Sequence, residues 1–414
     1  MSTAWSEQAG NGAFLFLARD GGHGLGEQVL RGAHVLTVPG RLVEAGAGSG
    51  VGHVAPDAEP LEAVERLLGL SEWQQNYTVV AHMHDVVRSE RETRLDGLER
   101  RFSHRAQAED DANGGPDFLT LKQALEHRKI VITETTESGS VPQLKVTNSS
   151  DEFVLLIDGE ELMGAKQNRV LNTSILIKAH SEIVVPVSCS EHGRWSYLSC
   201  EFGDSELVMA PQMRAAKMQS VTCSLKSDRS FRSDQSQVWE QIGDLQAEAC
   251  VASPTGAMKD VYTAKGLNLD EYVEAIPSLP RQRGLLVSMN GKVVGMDVLS
   301  REPAYRTFHT KLIKSYAVDA EVNRSHAEVK VSKPSPQQFL ERAATSTESR
   351  FESPGVGHDY RFESPSIAGS ALVYDGAVIH LAFFSVAAMN DERGFSSFRR
   401  RRGFRQRPDD EFVA

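Results

Sequence analysis

The stretch FVLLIDGEELMGAKQNR, Phe153 to Arg169, decides how the chain is read. Five apolar residues run up to Asp158-Gly159, a pair suited to a tight reversal because Asp tolerates and glycine permits positive φ. Apolar residues resume at Leu162 and Met163, so the pattern predicts a β-hairpin. The same figure recurs in LLVSMNGKVVG around Asn290-Gly291 and in ALVYDGAVIHLAFF around Asp375-Gly376. Aligning LLIDGEELMG with LVSMNGKVVG suits an old duplication of a β-rich lobe, and suits equally well separate hairpins with like turns. KIVITET, PQLKVTN and VLNTSILI add alternating or apolar strands nearby.

Helices are interleaved with these strands. Thr120 and Gln123 have capping-box spacing ahead of LKQALEHR. DQSQVWEQIGDLQAEAC puts Val238, Ile242, Leu245 and Ala249 on one stripe, and AYRTFHTKLIKSYAVDA does the same with Tyr305, Phe308, Leu312 and Tyr316, Pro303 being suited to the first turn. Ser335, Pro336 and Gln338 announce a further helix at QQFLERAA. Strands mixed with helices, without a regular βαβ rhythm, predict an α+β fold: antiparallel hairpins with packed amphipathic helices, preceded by a loosely structured N-terminal region.

The 414 residues, 40% of them hydrophobic, suffice for one large or two ordinary cores. AQAEDDANGGP reads as a linker, which divides the chain into an N-terminal extension at 1–115, a main domain at 116–390 and an Arg-rich tail at 391–414. No run is long and apolar enough for a bilayer and the start lacks the order of a secretory signal, so a cytoplasmic protein is expected. The four cysteines never form CxxC. A net charge of -11 argues against nucleic acid, except through the tail RGFSSFRRRRGFRQR, where arginines alternate with phenylalanines. Gly22 to Gly26 do not have dinucleotide-loop spacing, and His82 and His84 with Asp85 form an incomplete metal motif. The sequence leaves the cofactor unknown.

Chemistry concentrates after Asp158-Gly159. Successive strand residues face opposite ways, so Glu160 and Glu161 cannot both meet solvent on one side. Lys166, Gln167, Asn168 and Arg169 follow, and IVVPVSCSEHGRWSY adds Cys189, Glu191, His192, Arg194 and Trp195 at the end of another apolar strand. Such a set either ties two strands together through ion pairs and amides or lines a site for a polar ligand. In the second case Lys166, Gln167, Asn168, Arg169 and Arg194 bind phosphate or polar groups, Trp195 stacks on a ring, and Glu160, Glu161 or Glu191 supplies acid–base catalysis. Cys189 beside His192 is a candidate nucleophile, and a small core residue otherwise. His358, Asp359, Arg361 and His380 could join the cluster in space.

In order and spacing, LTLKQALEHRKIVITE, VPQLKVTN, LLIDGEELMGAKQNRVLNTSILI, VPVSCSEHGRW and DQSQVW resemble the prokaryotic ARG and Rhodanese-Phosphatase-superfamily-associated Protein domain, over about 116–384. The family's motif positions correspond to Glu160, Glu161, Lys166, Gln167, Asn168, Arg169, Glu191, Gly193, Arg194 and Trp195. The chain departs from the family pattern at Ser190 and His192. The resemblance implies a setting in the metabolism of ADP-ribose or related NAD-derived phosphates, with ADP-ribosylglycohydrolase or rhodanese-type phosphatase partners, and no settled activity. Two expectations follow: an enzyme acting on a small phosphorylated metabolite, or a sensing or protein-interaction module. Both place Glu161, Lys166, Arg169 and Arg194 in one cavity.

Overall fold

The computed structural model describes residues 115–136, 142–280, 282–289, 292–322 and 336–386, and three strands nearer the N-terminus. The glycine run at 22–26, His84 and Asp85, the Asn290-Gly291 turn and the Arg-rich tail lie outside the described residues.

A β-lobe comes first. Strand β1 (Leu15–Leu17), β2 (Ala33–Thr37) and β3 (Tyr77–Met83) belong to a later sheet, and the lobe itself opens with β4 (Phe118–Thr120) and helix α1 (Leu121–Glu126). The capping box holds: Thr120 Oγ1 accepts from Gln123 N, and Thr120 N donates to Gln123 Oε1 at 3.0 Å. Next come β5 (Ile130–Glu134), β6 (Gln143–Asn148), β7 (Phe153–Leu156), β8 (Glu160–Gly164), β9 (Arg169–Leu171), β10 (Ile175–Ile177), β11 (Ser181–Cys189) and β12 (Phe202–Val208). They form a six-stranded sheet in the order β12-β8-β9-β11-β6-β5 and a three-stranded sheet β10-β7-β4, closed over Leu144, Val146, Leu156, Leu162 and Val185.

Asp158-Gly159 corrects the hairpin expectation. It makes a tight turn, with Glu160 N donating to Ile157 O at 3.2 Å, but β7 pairs with β10 and β4 while β8 pairs with β9 and β12. The turn therefore hands the chain from one sheet to the other. Asp375-Gly376 behaves as read: both residues have positive φ, and the flanking strands pair from Tyr374↔Ala377 onward.

The second half builds a nine-stranded sheet from β13 (Gln282–Met289), β14 (Lys292–Leu299), β15 (Thr347–Glu352), β16 (His358–Ser364), β17 (Ile367–Tyr374) and β18 (Ala377–Ser385). Its order is β1-β2-β3-β13-β14-β18-β17-β16-β15, with β3 parallel to β13. Helices α2 (Pro211–Asp228), α3 (Gln235–Glu248), α4 (Lys259–Ala264), α5 (Gly266–Ala275) and α6 (Glu302–Val322) share one core with residues such as Leu285 and Val287, and α7 (Pro336–Ala344) presses Phe339 on Leu286 of the opposite face. The fold is α+β.

Tyr305, Phe308, Leu312 and Tyr316 are all fully buried on α6, as their spacing predicts. Burial of Phe308 or Leu312 contributes roughly 1.5–3 kcal/mol each. Helix α2 escapes sequence reading because its inner face carries Arg214 and Lys217 among Met213, Met218 and Val221, so polarity does not follow the helical period. Among the described residues no helix is long and apolar enough to cross a membrane.

Candidate functional site

The structure brings the two motif segments together as a knot. β9 pairs with β11, setting Arg169 opposite Cys189, so the loops that precede β9 and follow β11 touch. Arg194 spends its guanidinium there. Its Nε donates to both oxygens of Glu191 at 3.0 and 2.9 Å, Nη1 to Ala165 O at 2.6 Å and Ser196 O at 3.0 Å, and Nη2 to Asn168 Oδ1 at 3.1 Å. Asn168 N donates to Glu191 Oε2, and Gln167 Nε2 to His192 O. Gly193 N meets Thr255 O at 2.6 Å, an approach that a Cβ, only 3.1 Å from Thr255, would obstruct. Burial alone would raise the Glu191 carboxyl, but bonds from Arg194, Thr255 and Asn168 outweigh it and hold it below its usual range. A permanent anion locked to Arg194 is a structural tie and a poor proton carrier.

Outside the knot, Lys166 Nζ stands 5.3 Å from the Trp195 ring centre and 5.0 Å from that of Tyr197, and both rings are half exposed. Arg169 is fully buried beneath Trp195, donating to Gln167 O at 2.9 Å. Cys189 fits the small core residue of the two readings: burial pushes its thiol up to about 11, and Gln235 clamps its backbone on both sides.

Glu160 and Glu161 are both fully buried, facing opposite ways from β8. Glu160 meets Lys311 Nζ at 2.6 Å, and the same ammonium meets Asp204 at 2.5 Å. One cation serving two buried carboxylates leaves Glu160 short of compensation, and burial with Asp204 pushes it up to about 7. Burial likewise pushes Glu161 to about 7, against a hydrogen bond from Ser190 Oγ at 2.6 Å. The Ser205 hydroxyl is near enough to favour the anion, yet neither Ser205 Oγ nor Glu161 Oε2 closes a hydrogen bond among the described residues. Two adjacent acids that titrate near neutrality suit proton transfer.

Ser205 and Lys311 both line a groove of about 670 Å³ between α1, β12, α4, α5 and α6. Its wall holds Lys122, Lys259, Arg306 and Lys314 besides, with Glu126 and Glu206 as the lining acids. The β12–β8 register shifts between Asp204 and Val208, and Glu206 sits at φ +62°, so a bulge with a strained residue shapes one wall. Lys122 pairs with Glu206 at 2.7 Å and Lys314 with Asp270 at 2.7 Å, partly exposed contacts worth about 0–1 kcal/mol that an anionic ligand can displace. Among the described residues, Lys259 Nζ meets only the weakly accepting thioether of Met163, at 2.8 Å.

None of Lys166, Gln167, Asn168, Arg169, Arg194 and Trp195 lines this groove, and neither do Glu160, Glu161 and Glu191, of which Glu160 reaches it only through Lys311. Sequence reading missed Lys122, Ser205, Lys259 and Lys311. One signal was present for Lys311, which interrupts the apolar stripe of α6 next to Phe308 and Leu312. Ser205 and Lys259 carry no such mark.

A second charged cluster lies between the lobes. Asp297 accepts from Arg214 at 3.0 and 2.6 Å and from Tyr316 Oη at 2.8 Å; Asp158 binds Arg214 and Lys217; Arg361 binds Asp359 and Thr173. His380 joins them, its Nδ1 2.7 Å from Ser174 Oγ and its Nε2 3.4 Å from Asp297. Asp359, Arg361 and His380 thus converge with Asp158 rather than with the motif loops. Burial opposes the Asp297 anion, but Arg214 outweighs it and holds the carboxyl far below its usual range. Ser174, His380 and Asp297 have the order of a hydrolytic triad, yet all are buried, Ser174 Oγ accepts the Asp158 N–H, and Asp297 is held by Arg214. His358 stays at the surface, against Arg350.

Comparison with known proteins matches residues 106–384 to the ARG and Rhodanese-Phosphatase-superfamily-associated Protein domain. The chain belongs to this family. The matched span covers the first lobe, the motif knot, the groove and the second lobe from β13 onward, and leaves out β1, β2 and β3. Its name records an association with ARG and rhodanese-phosphatase superfamily proteins. No curated protein and no solved structure matches the chain. Among the described residues no three His, Cys, Asp or Glu side chains are grouped to hold a metal ion.

Proposed function

We propose that this domain binds a phosphorylated, NAD-derived small molecule such as ADP-ribose in the base-lined groove, and processes it by proton transfer through Glu160 and Glu161. The observation that carries this reading is the placement of two adjacent buried acids, each pushed to about 7, directly behind Lys311 and Ser205 of the groove wall. Lys122, Lys259 and Lys314 supply charge for phosphate, while Glu191 and Arg194 keep the neighbouring loops in place.

A non-catalytic sensing or interaction module acting with ADP-ribose-processing partners is the second reading. The half-exposed Trp195 and Tyr197 flanking Lys166 favour it, since they offer a stacking surface away from any acid that titrates near neutrality.

Calorimetric titration of the full chain with ADP-ribose and NAD, with mass analysis of each mixture, separates the two. The groove reading expects binding lost in Lys259→Ala and kept in Lys166→Ala, with a new product mass that disappears in Glu161→Gln. Binding lost in Lys166→Ala alone, without a new mass, transfers the function to the aromatic loop.

A further inference from the structure

Beside the groove, Glu161 Oε2 and Ser205 Oγ lie one behind the other, near enough for the hydroxyl to favour the carboxylate anion yet without closing a hydrogen bond among the described residues. A buried polar group left short of a full hydrogen bond is costly, and at this pair, unlike in the sealed inter-lobe cluster, open space lies alongside. Ser205 belongs to the bulged segment of β12 and lines the groove, whereas Glu161 lies behind it. A serine hydroxyl both donates and accepts. Rotated inward, it donates to Glu161 Oε2 and turns its lone pairs to the groove, ready to accept from an O–H of the occupant.

The remaining lining narrows the class of that occupant. Thr263, Thr307 and Thr310 bring further hydroxyls to the wall, Tyr262 and Leu269 bring apolar surface, and Lys259 stands beside them with its weak thioether partner. A carboxylate or an ionised phosphate can accept from the ammonium groups and the hydroxyls alike, but it brings no O–H of its own to the accepting lone pairs of Ser205. A phosphorylated sugar uses both, matching its own hydroxyls to groups that donate and accept and its phosphate to the cations.

We infer that Ser205, backed by Glu161, is the hydroxyl-recognising element of a phosphosugar site in the groove, with Lys259 holding the phosphate. This assignment rests on the groove being the ligand site of the preceding section and goes beyond it in naming which chemical group each residue takes.

Calorimetry of the full chain with inorganic phosphate, ribose and ribose 5-phosphate tests it, in the wild type, Ser205→Ala and Lys259→Ala, each variant first checked for an unchanged thermal midpoint. The sugar phosphate should bind at least about tenfold more tightly than phosphate. Ser205→Ala should erase that advantage and leave phosphate binding as it was, while Lys259→Ala weakens both. Equal affinity for phosphate and ribose 5-phosphate, both lost in Lys259→Ala, would overturn the sugar assignment and leave the anion groove standing. Absence of binding by all three ligands would overturn both.

Discussion

The inter-lobe cluster and the groove are built from the same side chains, carboxylates with lysines or arginines, and use them in opposite ways. Around Asp158, Arg214 and Asp297 every carboxylate has a cation, the members are fully buried, and hydroxyl or backbone groups fill further valences, although Arg361 Nη1 and His380 Nε2 close no hydrogen bond among the described residues. Around Glu160 and Glu161 the Lys311 ammonium is divided between Glu160 and Asp204, Glu161 Oε2 and Ser205 Oγ close no hydrogen bond among the described residues, and a groove opens beside them. Complete compensation fixes Asp297 as an anion; incomplete compensation leaves Glu160 and Glu161 near neutrality. Charge density alone does not mark a site. The marks are unspent valences beside open space.

The largest expected effect strikes the compensated cluster. Arg214→Leu takes from Asp297 its guanidinium in the dry boundary between lobes, while Asp158 keeps Lys217, and should lower the unfolding free energy by about 3–5 kcal/mol in urea titrations. A loss below about 1 kcal/mol would show that water reaches the cluster and would remove the contrast.

Glu161 sharpens the comparison through pH. Its folded value near 7 lies above the ordinary 4.5, so its contribution to stability is intact below pH 4.5 and is lost as pH rises through 7. Glu161→Gln should therefore match the wild type near pH 4 and exceed it by up to about 3 kcal/mol at pH 8. Parallel stability profiles for the two proteins would place the carboxyl in its ordinary range.

Lys259 should be almost silent for folding. Lys259→Ala is expected to shift stability by less than about 0.5 kcal/mol while weakening ligand binding, a dissociation between fold and function that Arg214 cannot show. Smallest in consequence is thiol labelling: Cys200, Cys223 and Cys250 are exposed and should alkylate in the native protein, whereas Cys189 should react only on unfolding. Prompt labelling of Cys189 would mean that β11 opens.

Much of the fold was legible in local pattern. The Thr120–Gln123 capping box, the stripe from Tyr305 to Tyr316, the turn at Asp375-Gly376 and the helix opening at Pro336 each depend on residues a few positions apart. Neighbours along a chain encode such features because 3.6-residue and two-residue periods are local. The proximity of the motif segments was legible as well, through the strands that carry them. The role of Arg194 was not, because a guanidinium reads alike whether it faces a phosphate or six protein oxygens.

Tertiary structure alone decided the rest. Asp158-Gly159 reads as a hairpin until Arg214 and Lys217, more than fifty positions away, draw the Asp inward and β8 joins a different sheet from β7. The groove assembles Lys122, Ser205, Lys259 and Lys311 from four separate elements, none of which signals the others. By itself the sequence determined where helices and strands form, since that depends on periodicity and capping among near neighbours. Which charges end up compensated and which are left with unspent valences depends on desolvation and contacts between distant residues, and only the packed molecule sets those.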